Sequence, residues 1–152
     1  MKPLDTLDRA ILRALQRDAS LSQRALADAV GLSQTACARR LAALQEAGVL
    51  TGSGARLSPD KVGLGMTVFV MVRTRHHSRD WLAEFRRVVL AIPNVIDFYR
   101  IAGDYDYLLK IVAEDMNAFD AVYQRLIERI ELDTVTSFIT MEAIADQRAL
   151  PV

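Results

Sequence analysis

The sequence is poor in the residues that carry redox, metal or covalent chemistry. Its single cysteine, Cys37, excludes a disulfide within the chain and any thiolate metal cluster. Its two histidines, His76 and His77, are adjacent. Neighbouring side chains at a strand end point to opposite sides, so a shared metal is awkward even with Asp80 and Glu84 close by. No catalytic residue, metal site or cofactor is therefore assigned. The longest apolar run, Met66 to Val72, is broken by Thr67 and is far too short to span a bilayer. The opening residues MKPLDTLDR lack the apolar stretch of a signal peptide, so a cytoplasmic location is expected and no membrane partner.

Net charge is lacking too: 19 basic residues meet 19 acidic ones. The distribution is more informative than the sum. Residues 1–57 hold eight Lys/Arg (Lys2, Arg9, Arg13, Arg17, Arg24, Arg39, Arg40, Arg56) against five acids, and the remainder holds an acidic excess of the same size. What is present is ample apolar material. A hydrophobic share of 51% with 25% charged residues is that of a folded soluble chain, and 152 residues suffice for one large domain or two small ones.

The first half has a helical rhythm. Leu7, Ile11, Leu12 and Leu15 mark one face of a helix that Asp5 or Thr6 can cap. A second helix opens at Ser20 or Ser22, buries Leu26 and Val30, and ends at Gly31 in a left-handed conformation. A third starts at Ser33 and runs to about Ala47, where Gly48 stops it. The following VLTGSGARLS predicts a small hairpin, or wing, and Ser58-Pro59-Asp60 a linker.

The second half alternates strands and helices. MTVFVMVRT, NVIDFYRIAG, DYDYLLKIVA and DTVTSFITME predict four strands, the middle two around a tight turn at Gly103-Asp104. Trp81 to Ile92 and Phe119 to Ile130 follow helical spacing. The order β-α-β-β-α-β predicts an α+β fold: a ferredoxin-like antiparallel sheet with two helices on one face. In its first strand, Met66, Val68, Val70 and Val72 lie on one face, yet Phe69 and Met71 on the other are apolar as well. An antiparallel sheet open to water should alternate with polar residues. Either a few hydrophobics are tolerated at the surface, or a second copy covers this face as a dimer, the reading preferred here.

The stretch GLSQTACARRL holds the chemistry of the first half. At 100° per residue, Cys37, Leu41 and Leu44 form one narrow buried seam. Thr35 and Arg39 point away from it, with Gln34, Ala38 and Arg40 on the flanks. Free N–H groups and partial positive charge at the N-terminal end suit phosphate. Gln and Thr can contact base edges in the major groove of double-stranded DNA, and arginine can read guanine or grip phosphate. Three helices and a basic-tipped hairpin compose a winged helix-turn-helix, although an ordinary three-helix domain with solvated arginines has the same rhythm.

LDTLDRAILRAL, LADAVGLSQTACARRLAALQEAGVL, LSPDKVGLG and AGDYDYLLKIVAEDM together resemble the Lrp/AsnC family of transcription regulators over essentially the whole length. The resemblance implies a winged helix-turn-helix over residues 1–57, a linker over 58–65, and a ferredoxin-like effector-binding and oligomerisation domain over 66–152. It implies dimers assembling to tetramers or octamers, and small effectors that are usually amino acids. Carried over by position, Ser33, Gln34, Thr35, Ala36, Arg39 and Arg40 lie nearest DNA, with Arg56 adding charge at the wing. Gln34 and Ala36 replace frequent prolines, Ala42-Ala43 frequent basic residues, Arg39 a common acid and Ser53 a typical aromatic. These departures bear on which operator is read, not on how the helix docks. RTRHHSRDW is similar to a subgroup that responds to cysteine or regulates amino-acid breakdown.

The same resemblance places the effector where AGDYDYLL meets a neighbouring dimer. Arg100, Ala102, Gly103, Asp104, Tyr105 and Asp106 would come from one side, with Thr136, Ser137 and Phe138 of the last strand completing the pocket. Chemically, a Gly turn exposes N–H groups to a carboxylate, and Asp104 or Asp106 can receive an ammonium. A plain hairpin turn favours the same residues. Cys37 on the helix seam reads as an inert buried thiol, with Arg40 close enough to keep a redox role in view.

Overall fold

The computed structural model describes residues 3–152, so Met1 and Lys2, the latter counted in the basic excess, lie outside the described residues. Contacts divide the chain into two compact units. One runs up to Arg56 and includes Ile144–Val152; the other is Leu57–Ala143. The last nine residues, grouped with the second half in the sequence reading, thus pack with the first.

The first unit is built from α1 (Thr6–Arg17), α2 (Gln23–Val30) and α3 (Gln34–Glu46). Asp5 starts α1 through a capping box: its carboxylate accepts the Asp8 N–H at 2.8 Å, and the Asp8 carboxylate accepts the Asp5 N–H at 3.2 Å. Ser22 caps α2 and Ser33 caps α3. Between those helices Gly31 takes φ 70, and the Leu32 N–H reaches back to the Ala27 carbonyl at 2.9 Å. This closing bond turns the chain within three residues and satisfies carbonyls that a helix end leaves bare. Ile11, Leu12, Leu26, Ala27, Cys37 and Leu44 meet in the core, with alanine keeping the crossings close.

The expected wing is not a ladder. Residues 51–58 form no strand and are exposed throughout. Two glycines and a serine at its centre offer no side chains to pair across a hairpin, and glycine weakens any strand it enters. A single 3₁₀ turn at Asp60–Val62 follows.

The second unit contains β1 (Met66–Arg73), α4 (Arg79–Leu90), β2 (Val95–Arg100), β3 (Tyr107–Ala113), α5 (Met116–Ile127) and β4 (Thr134–Ile139). The sheet is antiparallel in the order β2-β3-β1-β4, the ferredoxin-like arrangement. Val68, Val70, Val72, Leu109 and Ile111 are buried with Phe85 and Val89 of α4 and Leu126 of α5. Phe85 anchors this core, with its ring centroid 5.0 Å from Trp81, 4.9 Å from Tyr107 and 5.5 Å from Phe98.

The other sheet face carries Phe69, Met71, Leu108, Tyr99, Thr136 and Phe138, brought side by side by the register. Phe69, Tyr99 and Phe138 are exposed on it. Both faces of the sheet are therefore apolar, as the composition of β1 requires. The β2–β3 connection is wider than the expected two-residue turn. It spans residues 101–106, because Asp106 is drawn to β1, donating its N–H to the Val72 carbonyl at 2.9 Å.

Gly31→Ala is expected to cost about 1 kcal/mol, since a side chain disfavours positive φ although open space surrounds the site. Urea denaturation of the two proteins checks this; equal midpoints would show that the turn tolerates a side chain.

Candidate functional site

Capping and packing together orient α3. The Ser33 hydroxyl accepts the Ala36 N–H at 3.2 Å, and the first turn holds no acidic residue. Cys37 is 2% and Leu44 4% exposed, so the helix is held by a narrow seam. Ser33, Gln34, Thr35 and Arg39 face solvent, and Ala36 is half-buried. Thr35 and Arg39 are four residues apart and stack along one stripe. Arg39 forms no ion pair among the described residues. The stripe thus offers a hydroxyl, an amide and a free guanidinium beside the positive end of a helix.

Arg40 is placed differently. Its guanidinium lies 2.7 Å from a carboxylate oxygen of Asp5 and 2.7 Å from one of Asp8, so it ties α3 to the cap of α1. Sequence reasoning missed this contact. The signal was the Asp-x-x-Asp at the start of α1, but which arginine answers it depends on how the helices cross. The N–H of Asp8 and, secondarily, the Arg40 guanidinium hold the Asp5 carboxyl below its ordinary value. The guanidinium is raised in turn by these same carboxylates, Asp5 first. Arg56 sits in the exposed segment after α3. Burial pushes the Cys37 thiol up, the environment of an inert cysteine.

The second candidate site is the 101–106 loop. Ile101 donates its N–H to the Asp106 carbonyl at 2.9 Å, closing the loop. Ala102, Gly103 and Asp104 form its exposed tip, and Arg100 is exposed at the end of β2. Gly103 takes φ 132, which a side chain resists. The Tyr105 hydroxyl lies 3.1 Å from Thr136 Oγ1, joining loop to β4. Asp106 Oδ2 accepts the Thr74 N–H at 2.9 Å, so one of its carboxylate oxygens is occupied by the fold. Asp104 has no ion pair among the described residues and is the carboxylate left for a cation. Thr136 and Phe138 share the open sheet face, whereas Ser137 alternates to the other. The structure therefore brings Thr136 to the loop and leaves Ser137 apart from it.

A family model described as winged helix-turn-helix DNA-binding matches residues 4–51, and one described as the Lrp/AsnC ligand binding domain matches residues 67–150. The chain belongs to the Lrp/AsnC family. It is 45% identical to the DNA-binding transcriptional activator DecR of Escherichia coli K12, over 98% of this chain and 99% of that protein. It is 41% identical to a glutamate uptake regulatory protein of Zymomonas mobilis, over 99% and 92% of the two chains. Among solved structures, an AsnC family transcriptional regulator from Agrobacterium tumefaciens is 47% identical and covers 97% of each chain with a TM-score of 0.93. A transcriptional regulator from Neisseria meningitidis, solved as an L-Met complex, is 33% identical with a TM-score of 0.91, covering 98% and 97%.

This Lrp/AsnC protein is thus a DNA-binding transcriptional regulator with a ligand-binding domain, in a family of regulators rather than enzymes. Among the described residues no helix is long and apolar enough to cross a membrane.

Because the Asp5 carboxyl is held low, the stability it contributes is complete above the ordinary aspartate range and is lost as pH falls through the folded value. Arg40→Ala is expected to lower the melting temperature at neutral pH and to shrink its loss below about pH 4. Arg39→Ala should do neither. Thermal melts across that pH range check this, and identical curves for Arg40→Ala and wild type would contradict it.

Proposed function

We propose that this regulator docks the Ser33–Arg39 stripe of α3 in the major groove of its operator, with Arg56 on the flanking phosphates. It acts in the cytoplasm, as a homodimer or a larger assembly of dimers. An amino acid held at the 101–106 loop sets its operator affinity or its assembly. The observation that carries the DNA reading is the contrast between two adjacent arginines: Arg40 is bound to Asp5 and Asp8, while Arg39 is exposed, without an ion pair among the described residues, beside a capped helix N-terminus. Arg40 accordingly positions the helix and leaves DNA contact to its neighbours.

The loop supports an amino-acid ligand by its chemistry. Asp104 matches an ammonium, and a glycine at φ 132 keeps backbone N–H groups accessible to a carboxylate. The Neisseria relative's L-Met complex is in keeping with this class of ligand. A pocket completed by a neighbouring copy makes binding prefer one assembly over another, which is the condition for coupling. Dimerisation is supported by the open sheet face, where Phe69, Tyr99 and Phe138 are 36%, 54% and 54% exposed. Three exposed aromatic rings on a single face are costly in water and are covered economically by a second such face.

Arg39→Ala is expected to weaken binding to a duplex selected by the wild-type protein by about 1–3 kcal/mol and to relax its sequence preference. Arg56→Ala should lower the slope of log affinity against log salt by about one and act equally on all duplexes. Fluorescence anisotropy over a salt series distinguishes the two; wild-type affinity in both variants would remove the proposed DNA surface. For the assembly, Phe138→Glu should produce monomers by sedimentation velocity at concentrations where wild type is oligomeric. For the ligand, the twenty amino acids titrated singly should change operator affinity or mass in at least one case, and Asp104→Asn should abolish that response. If none acts, the amino-acid reading falls while the DNA reading stands.

A further inference from the structure

The segment Ile144–Val152 is reached only after the whole second unit has been traversed, yet it belongs to the first. Its attachment is specific. The side-chain amide of Gln16 imitates a strand neighbour: Nε2 donates to the Leu150 carbonyl at 3.1 Å, and Oε1 accepts the Leu150 N–H at 2.6 Å. One helical turn earlier, Arg13 donates to the Val152 carbonyl at 3.3 Å. The Val152 side chain packs against the core of the first unit. These contacts join residues more than 130 positions apart. Leu150 and Val152 line one side of a groove whose other walls include Leu12, Leu15, Val49 and Leu50. Without them, those apolar side chains beside α1 lose part of their cover.

We propose that residues 144–152 are a structural part of the DNA-binding unit: a clasp, docked on α1 through Gln16 and Arg13, that holds the helix whose cap orients α3 by way of Arg40. The occupant of this groove is the chain's own tail, and the reciprocal amide pairing is what selects it. Arg13 is exposed and Gln16 half-buried at the groove, and neither would otherwise have reason to bond an ordered backbone segment. The clasp also gives the units two covalent connections instead of one, at residues 56–57 and 143–144. The tail follows β4, which carries Thr136, the partner of Tyr105. A change at the ligand loop therefore has a route to α1 that avoids the linker, running along the chain from β4 to the tail with hydrogen bonds at each end. That last step rests on the ligand reading above; the clasp itself does not.

Hydrogen exchange on the full-length protein, without ligand or DNA, tests the clasp independently. In wild type the Leu150 amide should be protected, and Gln16→Ala should speed its exchange about tenfold, as loss of a hydrogen bond's net contribution implies. Val152→Asp, a change in the tail, should likewise accelerate exchange in α1 around Ile11–Leu15 while leaving β3 unchanged. Both variants should bind a duplex selected by wild type more weakly than wild type does. A wild-type Leu150 amide exchanging at the rate of an unstructured peptide would overturn the proposal. So would Val152→Asp leaving α1 untouched, or tail protection that falls on dilution, which would make the tail a second copy's. A Gln16→Ala protein that fails to fold leaves the Val152→Asp and wild-type measurements to decide.

Discussion

The narrowness of the seam by which α3 is held governs this protein. Cys37 and Leu44 are buried, Ala36, Ala38, Arg40 and Leu41 only partly, and the remaining residues of the helix face outward. A helix buried over a broad stripe would have little left to present to DNA, whereas one held by so few side chains risks rolling about its axis. Arg40 counters that rotation. Standing at the edge of the seam, it reaches across to two carboxylates that are themselves fixed by the capping box of α1. Exposed ion pairs contribute little on average, but here one cation bridges two acids whose positions are set by backbone hydrogen bonds. Its effect is directional: it decides which side of α3 looks outward.

The second unit solves a different problem. A four-stranded sheet with helices on one side leaves the opposite face to water, and ordinary antiparallel sheets make that face polar. Here the register lines up Phe69 with Phe138 and Met71 with Leu108 on that face. The charged residues there are Asp97 with its cross-strand partner Lys110, and Arg73 at the end of β1. The apolar cluster between them has the composition of an interface core, which is depleted of charge where it is driest. The 101–106 loop is tied to this face through Tyr105 and Thr136. The loop and the open face are therefore joined.

Much of this was legible in the chain because local rules suffice for it. Asp5, Ser22, Ser33 and Gly31 act where capping and left-handed geometry place them, and the two-sided apolar pattern of β1 reappears as a sheet apolar on both faces. What escaped depends on contacts between residues far apart in sequence. Arg39 and Arg40 are indistinguishable as letters; only the crossing of α1 and α3 makes one a strut and leaves the other free. Ser137 sits between Thr136 and Phe138 but alternates away from both. The GSG segment has the spacing of a hairpin and lacks side chains to hold one. Gln16 gives no local sign of its partner, since the bond it forms spans nearly the whole chain.

The zero net charge takes on a meaning in this light. Binding to nucleic acid is usually read from a basic excess, because phosphate attraction dominates affinity. This protein has no overall field to attract DNA non-specifically, and one of the arginines on its presented helix is neutralised by its own carboxylates. On α3 and the loop beyond it, the cations without an ion pair among the described residues are Arg39 and Arg56, beside a helix N-terminus without acidic residues. A single docking unit with so few phosphate contacts binds weakly. In the proposed dimer, two such units double the contacts without new chemistry, and affinity rises through effective concentration. A regulator built this way reads DNA strongly only as an assembly, so whatever alters the assembly alters the reading.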